Sequence, residues 1–470
     1  MVYLLRLKNK GMSKMDKTAV KENKMGTMDI TRLLFSISVP MIISMLVQAL
    51  YNIVDSVFVA NFDNNAGTAA LTIAFPIQNL MIALAAGLCV GMNALLSRSL
   101  GQKNFERANK IAGQGIFLTL CGYLIFLAIG LFAVPMYVRG QAGENELIYK
   151  YGVEYLSLIC VGSLGVFVQI TMERLLQATG KSFYSMMTQA SGAIINIILD
   201  PIMIFGLLGF PKMGVFGAAV ATVIGQWVAA TLGIIFNLRL NKEIAFSFKN
   251  ILPNPRFIKE ILIIGVPSVL MQAIGSVMTF CMNNILLGFD NGVSAMNIFG
   301  IYFKLHSFVF MPVFGLNNGM IPIVAYNYGA GRKDRVMSVI KIAGISAVSY
   351  MLLGLLVFQT IPEVLLGFFN ASADMLKIGR DALRIISLSF IFAGFAIITI
   401  SVCQALGKSI YGLFTSIGRQ LVVLIPTAYL LSLTGNLFAV WWAFPIAELM
   451  SLILSIIFMM RVMKNTLSKI

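Results

Sequence analysis

The chain has 470 residues, 58% hydrophobic and 11% charged, with a formal net charge of +16. Soluble domains carry about 25% charged residues, so this composition excludes a soluble enzyme or binding module. The positive charge does not point to nucleic acid, because Lys and Arg fall in short loops and at the chain ends rather than along one face.

Residues 1–32 hold Arg6, Lys8, Lys10, Lys14, Lys17, Lys21, Lys24 and Arg32 against Asp16, Glu22 and Asp29. This stretch reads as a disordered basic tail with no role beyond orientation, and it shows no cleavable signal peptide. A membrane-spanning helix needs about 20 mostly apolar residues. The chain offers about twelve such segments: 33–60, 68–95, 109–137, 148–177, 183–208, 213–239, 258–287, 294–323, 336–360, 376–406, 409–432 and 436–462. Turn chemistry separates them, as at Asn64-Asn65-Ala66-Gly67 and at Phe210-Pro211-Lys212-Met213-Gly214. The longest polar interruption runs from Asn241 to Lys259 and contains Pro253 and Pro255. The expected fold is an all-α integral membrane protein. It comprises a tail over 1–32, a six-helix bundle over 33–239, a cytoplasmic linker over 240–257, a second six-helix bundle over 258–463 and a tail over 464–470.

The two bundles are one unit written twice. Gln177-Ala178-Thr179-Gly180-Lys181-Ser182-Phe183-Tyr184 returns as Gln404-Ala405-Leu406-Gly407-Lys408-Ser409-Ile410-Tyr411, a spacing of 227 residues. Val39-Pro40 and Val266-Pro267 keep that register. Gly87, Gly91 and Arg107 recur one residue later, as Gly315, Gly319 and Arg335. Repeats of this size in an apolar chain mark secondary transporters, whose halves rock about a central site. Gly87-x-x-x-Gly91 and its copy predict close helix contacts.

Orientation follows from positive charge near the helix ends. Arg98, Lys103, Arg107 and Lys110, then Arg174 and Lys181, then the linker, then Arg332, Lys333, Arg335, Lys341 and Lys408 all fall on one side. The loops 61–67 and 288–292 carry no Lys or Arg. Both termini therefore face the cytoplasm in a multi-pass protein of the cell's inner membrane. Six helices per half, an even number, give the halves the same orientation.

A charge in hydrocarbon is expensive, so intramembrane acids are functional candidates. Asp55 lies in the first helix, Asn196 and Asp200 share a face of the fifth, and Thr222 lies in the sixth. At about 1.5 Å per residue, Asp55, Asp200 and Thr222 fall about 9, 12 and 14 Å below the outer helix ends, in one layer. Glu173 sits deeper and takes a separate role. The second half lacks the pair, with Met282 opposite Asp55, and carries Lys304, His306, Arg419 and Glu448 instead. Lys304 and Glu448 fall at similar depth, which predicts an ion pair between them, either structural or substrate-binding. His306, the only histidine, reads as a proton carrier or as hydrogen-bonded scaffolding. The five cysteines lie singly in apolar runs and read as packing residues. Gly180-Lys181-Ser182 and its copy are not phosphate loops, because Leu175 and Val402 stand where the motif needs glycine. With no lobe for an ATPase, energy comes from an ion gradient, and no cofactor is expected.

The sequence resembles the multidrug and toxic compound extrusion (MATE) family, in its DinF/MepA-like branch. The resemblance rests on Tyr51-Asn52-Ile53-Val54-Asp55, on Gly101 to Arg107, on Asn196-Ile197-Ile198-Leu199-Asp200-Pro201 and on Gly217-Ala218-Ala219-Val220-Ala221-Thr222. It implies twelve helices in two bundles and export of amphiphilic, often cationic drugs in exchange for H⁺ or Na⁺. It implies a cation-binding network at Asp55, Asn196 and Asp200, which would ligate a metal only if the ion is Na⁺. It further implies helix bending at Pro40 and matches acids at Glu173 and Glu448. Gln177 departs from the arginine that relatives often place there. Two carboxyl groups in one dry layer cannot both stay ionised cheaply, so the pair takes up a proton or binds Na⁺, with Asn196 and Thr222 as neutral ligands. The expected partners are small amphiphiles and the bilayer, with the protein a monomer. One rival reading is a flippase for lipid-linked oligosaccharides on the same superfamily fold. A membrane-embedded prenyltransferase is disfavoured, since the chain has no Asp-x-x-x-Asp run.

Overall fold

In the computed structural model the described residues are 23–63, 66–369 and 373–469, all helix or connecting loop. Twelve spans follow one another. We label them α1 (Ile30–Phe62), α2 (Ala66–Gly101), α3 (Phe105–Ala142), α4 (Glu146–Val161 with Leu164–Ala178), α5 (Ser182–Phe205) and α6 (Val215–Leu240) in the first half. The second half comprises α7 (Pro255–Leu287), α8 (Gly292–Gly329), α9 (Lys333–Thr360), α10 (Ala373–Ser387 with Phe390–Ala405), α11 (Ser409–Ser432) and α12 (Leu437–Asn465). The two broken spans occupy the same place in the repeat. α4 bends by 45° before Leu164 and α10 by 48° before Phe390.

The turns that bear Gly-Lys-Ser are helix C-caps. Gly180 and Gly407 adopt left-handed φ values of 77° and 76°. The following amides close back on the preceding helix, Lys181 N to Leu176 O at 2.8 Å and Lys408 N to Cys403 O at 2.7 Å. This is the geometry in which a glycine after the last helical residue satisfies the terminal carbonyls.

The two halves meet by a reciprocal exchange of glycines. Gly87 on α2 sits against Val269 of α7, and its copy Gly315 on α8 sits against Ile42 of α1. Gly91 abuts the Ile261 carbonyl, and Gly319 abuts Ser38. At the end of α2, Gly101 lies on the Tyr326 carbonyl, while Gly329 at the end of α8 lies on the Arg98 carbonyl. A Cβ at any of these positions would collide with the opposing helix, so the sequence repeat becomes a two-fold relation in space.

These contacts lie toward the end that carries the interhalf linker, here called the linker end. The last twenty residues of α2 and of α8 are mostly buried, whereas their first turns are half-exposed. One apolar core accordingly runs through both halves at the linker end, from Leu33, Leu96 and Ile111 to Ile261 and Met320. The far end of the first half keeps a core of its own, including Val59, Ala74, Phe126 and Ile204. The halves are thus closed together at the linker end. The linker is tied to α3: the Gln114 amide donates to Asn250 O and Leu252 O, both at 2.7 Å, and Asn109 Oδ1 accepts from Ala245 N at 2.8 Å.

Of the tail expected to be disordered over 1–32, residues 23–32 are structured, and residues 1–22 lie outside the described residues. Lys24–Thr27 forms a helical turn and Met25 is fully buried. Asn23 Nδ2 donates to both oxygens of Glu243 at 2.8 Å and to Thr179 O at 3.1 Å, on the first half. Asn327 Nδ2 donates to Met25 O at 3.0 Å, and Arg335 Nη2 donates to Met28 O at 2.7 Å, from the second half. The reason for the difference is that the backbone carbonyls of this stretch, not its charges, carry the contacts. Burial pushes the Glu243 carboxyl above its ordinary value, against the opposing pull of Lys181 and Asn23.

Candidate cation-binding site

α1 packs along α5, and α5 along α6. Between them lies the polar layer expected from the sequence. Asp200 is fully buried, Asn196 is 3% exposed, and Asp55 and Thr222 are also buried. Asn196 Nδ2 donates to Asp200 Oδ1 at 3.2 Å and to Thr222 Oγ1 at 3.4 Å. Asn196 and Asp200 meet because residues four apart on a helix lie one above the other. Pro201, next in sequence, removes one amide from the α5 ladder. Asp55 interacts electrostatically with Asp200 across the α1–α5 seam.

Three oxygens of this cluster have no hydrogen-bond partner: Asp55 Oδ1, Asn196 Oδ1 and Asp200 Oδ2. Buried acceptors are nearly always satisfied, and each one left open costs about 1–3 kcal/mol. All the open atoms are oxygens, the ligand type that takes a proton or a hard cation.

The seam extends beyond the expected residues. Gln189 Nε2 donates to Gln48 Oε1 at 2.9 Å, and Ser44 bonds Gln189. Tyr51 and Tyr155 both interact electrostatically with Asp55 and Asp200, and Gln78 Nε2 donates to the Tyr155 hydroxyl at 3.3 Å. Sequence reasoning missed these residues. The available signal was helical spacing: Ser44, Gln48, Tyr51 and Asp55 recur every three or four residues, as do Ser185, Gln189, Asn196 and Asp200 at multiples of that interval.

The other candidates lie elsewhere. Glu173 is buried and accepts from Gln169 Nε2 at 3.0 Å on its own helix. Its neighbour Arg174, near the end of the same helix, donates to Gln177 Oε1 at 3.0 Å and across the halves to Asn318 Oδ1 at 2.9 Å. Gln177 in turn donates to Ser185 Oγ at 2.9 Å, so this departure from the family pattern is absorbed at the α4–α5 turn. Pro40 lies inside α1.

The expected Lys304–Glu448 pair does not form. Glu448 pairs with Arg419 at 3.0 Å, while the Lys304 ammonium lies 5.7 Å from the centre of the Phe369 ring. The reason is a local π-helix over Gly418–Leu424 in α11, which carries Arg419. Equality of depth did not determine azimuth. His306 stacks on Phe310 at 3.7 Å between centroids and is ringed by Tyr302, Phe303 and Phe390.

A two-bundle helical protein with an unsatisfied acid cluster between its spans belongs to the membrane transporters rather than the enzymes. The MatE family matches this chain twice, over residues 40–202 and 267–430, in the register of the internal repeat, and the chain belongs to that family. Multidrug export protein MepA of Staphylococcus haemolyticus (strain JCSC1435) is 27% identical over 419 residues, which is 89% of this chain and 91% of its own. MepA of Staphylococcus aureus (strain MRSA252) is 26% identical over 416 residues, 87% of this chain and 89% of its own. Among solved structures, the MATE multidrug transporter DinF-BH in complex with R6G superposes with a TM-score of 0.86 at 30% identity, covering 96% of this chain and 99% of its own. The outward-facing conformation of a multidrug resistance MATE family transporter gives 0.87 at 24% identity, covering 96% and 99%.

Proposed function

We propose that this protein is an antiporter that exports amphiphilic, cationic drugs through the inner membrane in exchange for H⁺ or Na⁺, by alternating access. The observation that carries the reading is the set of three open oxygens on Asp55, Asn196 and Asp200. An ion bound there and a cationic drug held by the same negative charge compete, and competition for one charge couples their movements without a direct relay. Asp55 and Asp200 hold the ion as anions, Asn196 positions Asp200 and offers its own oxygen, and Thr222 offers a hydroxyl. Pro40, inside α1, gives that helix a weak point at which to repack once the charge is cancelled. The relatives' names, multidrug export protein and multidrug transporter, support the drug as cargo.

The basic loops gather at the linker end, which supports a cytoplasmic placement of that end and of both termini. The conformation described, closed at the linker end, is then outward-facing. Glu173, Glu448, Lys304 and His306 lie outside the open-oxygen cluster, and we assign them to the walls of the path. The acidic seam in the first half favours a cationic cargo over the anionic cargo of an oligosaccharide flippase.

The test is efflux of a fluorescent cation from vesicles bearing the purified protein, with H⁺ and Na⁺ gradients imposed separately. One gradient drives efflux, and Asp200→Asn reduces that efflux to the rate of empty vesicles while the protein still inserts. Efflux at the wild-type rate in this variant removes Asp200 from coupling.

A further inference from the structure

We propose that the outer face of α7, at the linker end, is a binding site for one anionic diacyl phospholipid of the adjoining leaflet. A groove of about 700 Å³ runs along α7 from Pro255 to Pro267 and is closed on one side by Ile410 at the start of α11. Its floor and walls are Ile258, Leu262, Ile263, Val266, Pro267 and Ile410, and the one charged residue lining it is Lys259. Twelve residues of helix span about 18 Å, just over half of the roughly 30 Å hydrocarbon core. The groove therefore has the length of one leaflet, with its polar opening at the headgroup level.

Charge complementarity selects the occupant. Lys259 is exposed at the groove mouth, and Lys408, also exposed, sits two residues before Ile410. Among the described residues neither forms an ion pair, whereas their neighbour Arg256 leans on Glu260 at 3.7 Å. One uncompensated ammonium group lining an apolar trench, with a second two residues along the chain from its Ile410 wall, suits a phosphate diester that carries net negative charge and trails acyl chains. A zwitterionic headgroup answers the trench but brings a cation of its own to the lysines.

The internal repeat supplies a control within the same chain. In the 227-residue register, Leu262 corresponds to Phe35 and Ile410 to Phe183. Both phenylalanines are exposed on the first half, at 45% and 54%. Larger rings thus stand on the first half where the second half lines its groove with Leu262 and Ile410. Its occupant would rest against α7, the helix whose adjacent face holds the crossing with α2 at Gly87 and Gly91. A lipid seated there bears on the interface that must slide when the halves rock.

The experiment is native mass spectrometry of the full-length protein, delipidated in detergent and titrated with phosphatidylglycerol or phosphatidylcholine of identical chains. We expect the first adduct to favour phosphatidylglycerol by about 10- to 30-fold, the contribution of two lysines near a membrane surface. Lys259→Gln with Lys408→Gln abolishes the preference but keeps the weaker, headgroup-blind adduct. Leu262→Phe with Ile410→Phe, which copies the first half, removes the adduct for both lipids. Thermal unfolding without lipid confirms that each variant is folded. Equal retention of the two lipids by the wild type, or a preference that survives the double lysine change, overturns the proposal. Because binding is read without transport, failure here leaves the antiport reading standing, and the reverse also holds.

Discussion

The two halves share a scaffold and differ in what they bury. In register, Asp55 of α1 corresponds to Met282 of α7, Asn196 of α5 to Val423 of α11, and Asp200 to Thr427. The first half gathers three open oxygens in the Asp55–Asn196–Asp200 cluster; opposite Asp55 the second half packs Met282, which is fully buried, into the apolar core. Where α5 is regular, α11 carries a π-helix and an Arg419–Glu448 pair. Duplication thus fixed the helix crossings, which need small residues at set places. It left the interior of each half free to diverge, provided that the polar groups each interior buries are paired or put to use.

Exchanging the two interiors tests this most severely. Met282→Asp places an unpaired carboxylate in a closed apolar core, and we expect a loss of about 3–5 kcal/mol. The mirror change, Asp55→Met, removes a carboxylate whose Oδ1 is unsatisfied, and the protein gains about 1–3 kcal/mol. Thermal unfolding in detergent reads both. Vesicle efflux should fall to background in Asp55→Met even as its stability rises, since the open oxygen serves transport and not the fold. Opposite signs from the two substitutions support the division of roles. A destabilised Asp55→Met would show the acid to be structural.

Much of this comparison was legible in the sequence, and the failures share a cause. The repeat register, the twelve spans and the cluster of Asp55, Asn196, Asp200 and Thr222 follow from hydropathy and helical spacing. The ends of α2 and α8 were read as loop from residues 96 and 324 on, because Ser97, Arg98, Ser99, Asn327 and Tyr328 are polar. In the fold they continue the helices to Gly101 and Gly329, with their backbones satisfied within the helix and their surfaces covered by the other half. The same covering by the second half holds residues 23–29, while Ser44, Gln48 and Gln189 meet across the α1–α5 seam inside the first half. Local pattern reports what a segment prefers alone, and it is silent on what another half of the molecule offers. The Lys304–Glu448 pairing failed for a related reason, since depth along a helix says nothing about direction around it.

A milder test concerns the crossing of α2 and α8. Gly101→Ala and Gly329→Ala each push a methyl group into an opposing carbonyl, so neither neighbour can yield by turning a side chain. Overpacking of this kind costs about 1–3 kcal/mol. The two-fold relation predicts equal losses of stability, within about 0.5 kcal/mol, when unfolding is followed in the same detergent. Losses that differ by more than about twofold would show that the relation is approximate in energy even where it holds in geometry.

The comparison that separates the halves most finely, and holds the weakest single contact, lies in Arg107 and its copy Arg335. Each reaches from its own half to the start of the other half's first span. Arg107 pairs with Glu260 on α7 at 2.7 Å, with both side chains more than a quarter exposed. Solvent screening limits such a pair to about 0.2–1 kcal/mol. Arg335 instead donates to the carbonyls of Met25 and Met28 just before α1, at 3.2 and 2.7 Å. Hydrogen bonds from a charged donor contribute about 1.5–3 kcal/mol. Both clamps exist only while the linker end is closed, so their removal shifts the balance toward opening there. Hydrogen exchange over residues 96–101 and 324–329 measures that balance. We expect Arg335→Ala to raise exchange by about 10-fold or more and Arg107→Ala by less than about 5-fold. Equal increases would make the clamp as symmetric as the glycines, and no increase with Arg335→Ala would mean that the residues before α1 follow the closed state without holding it.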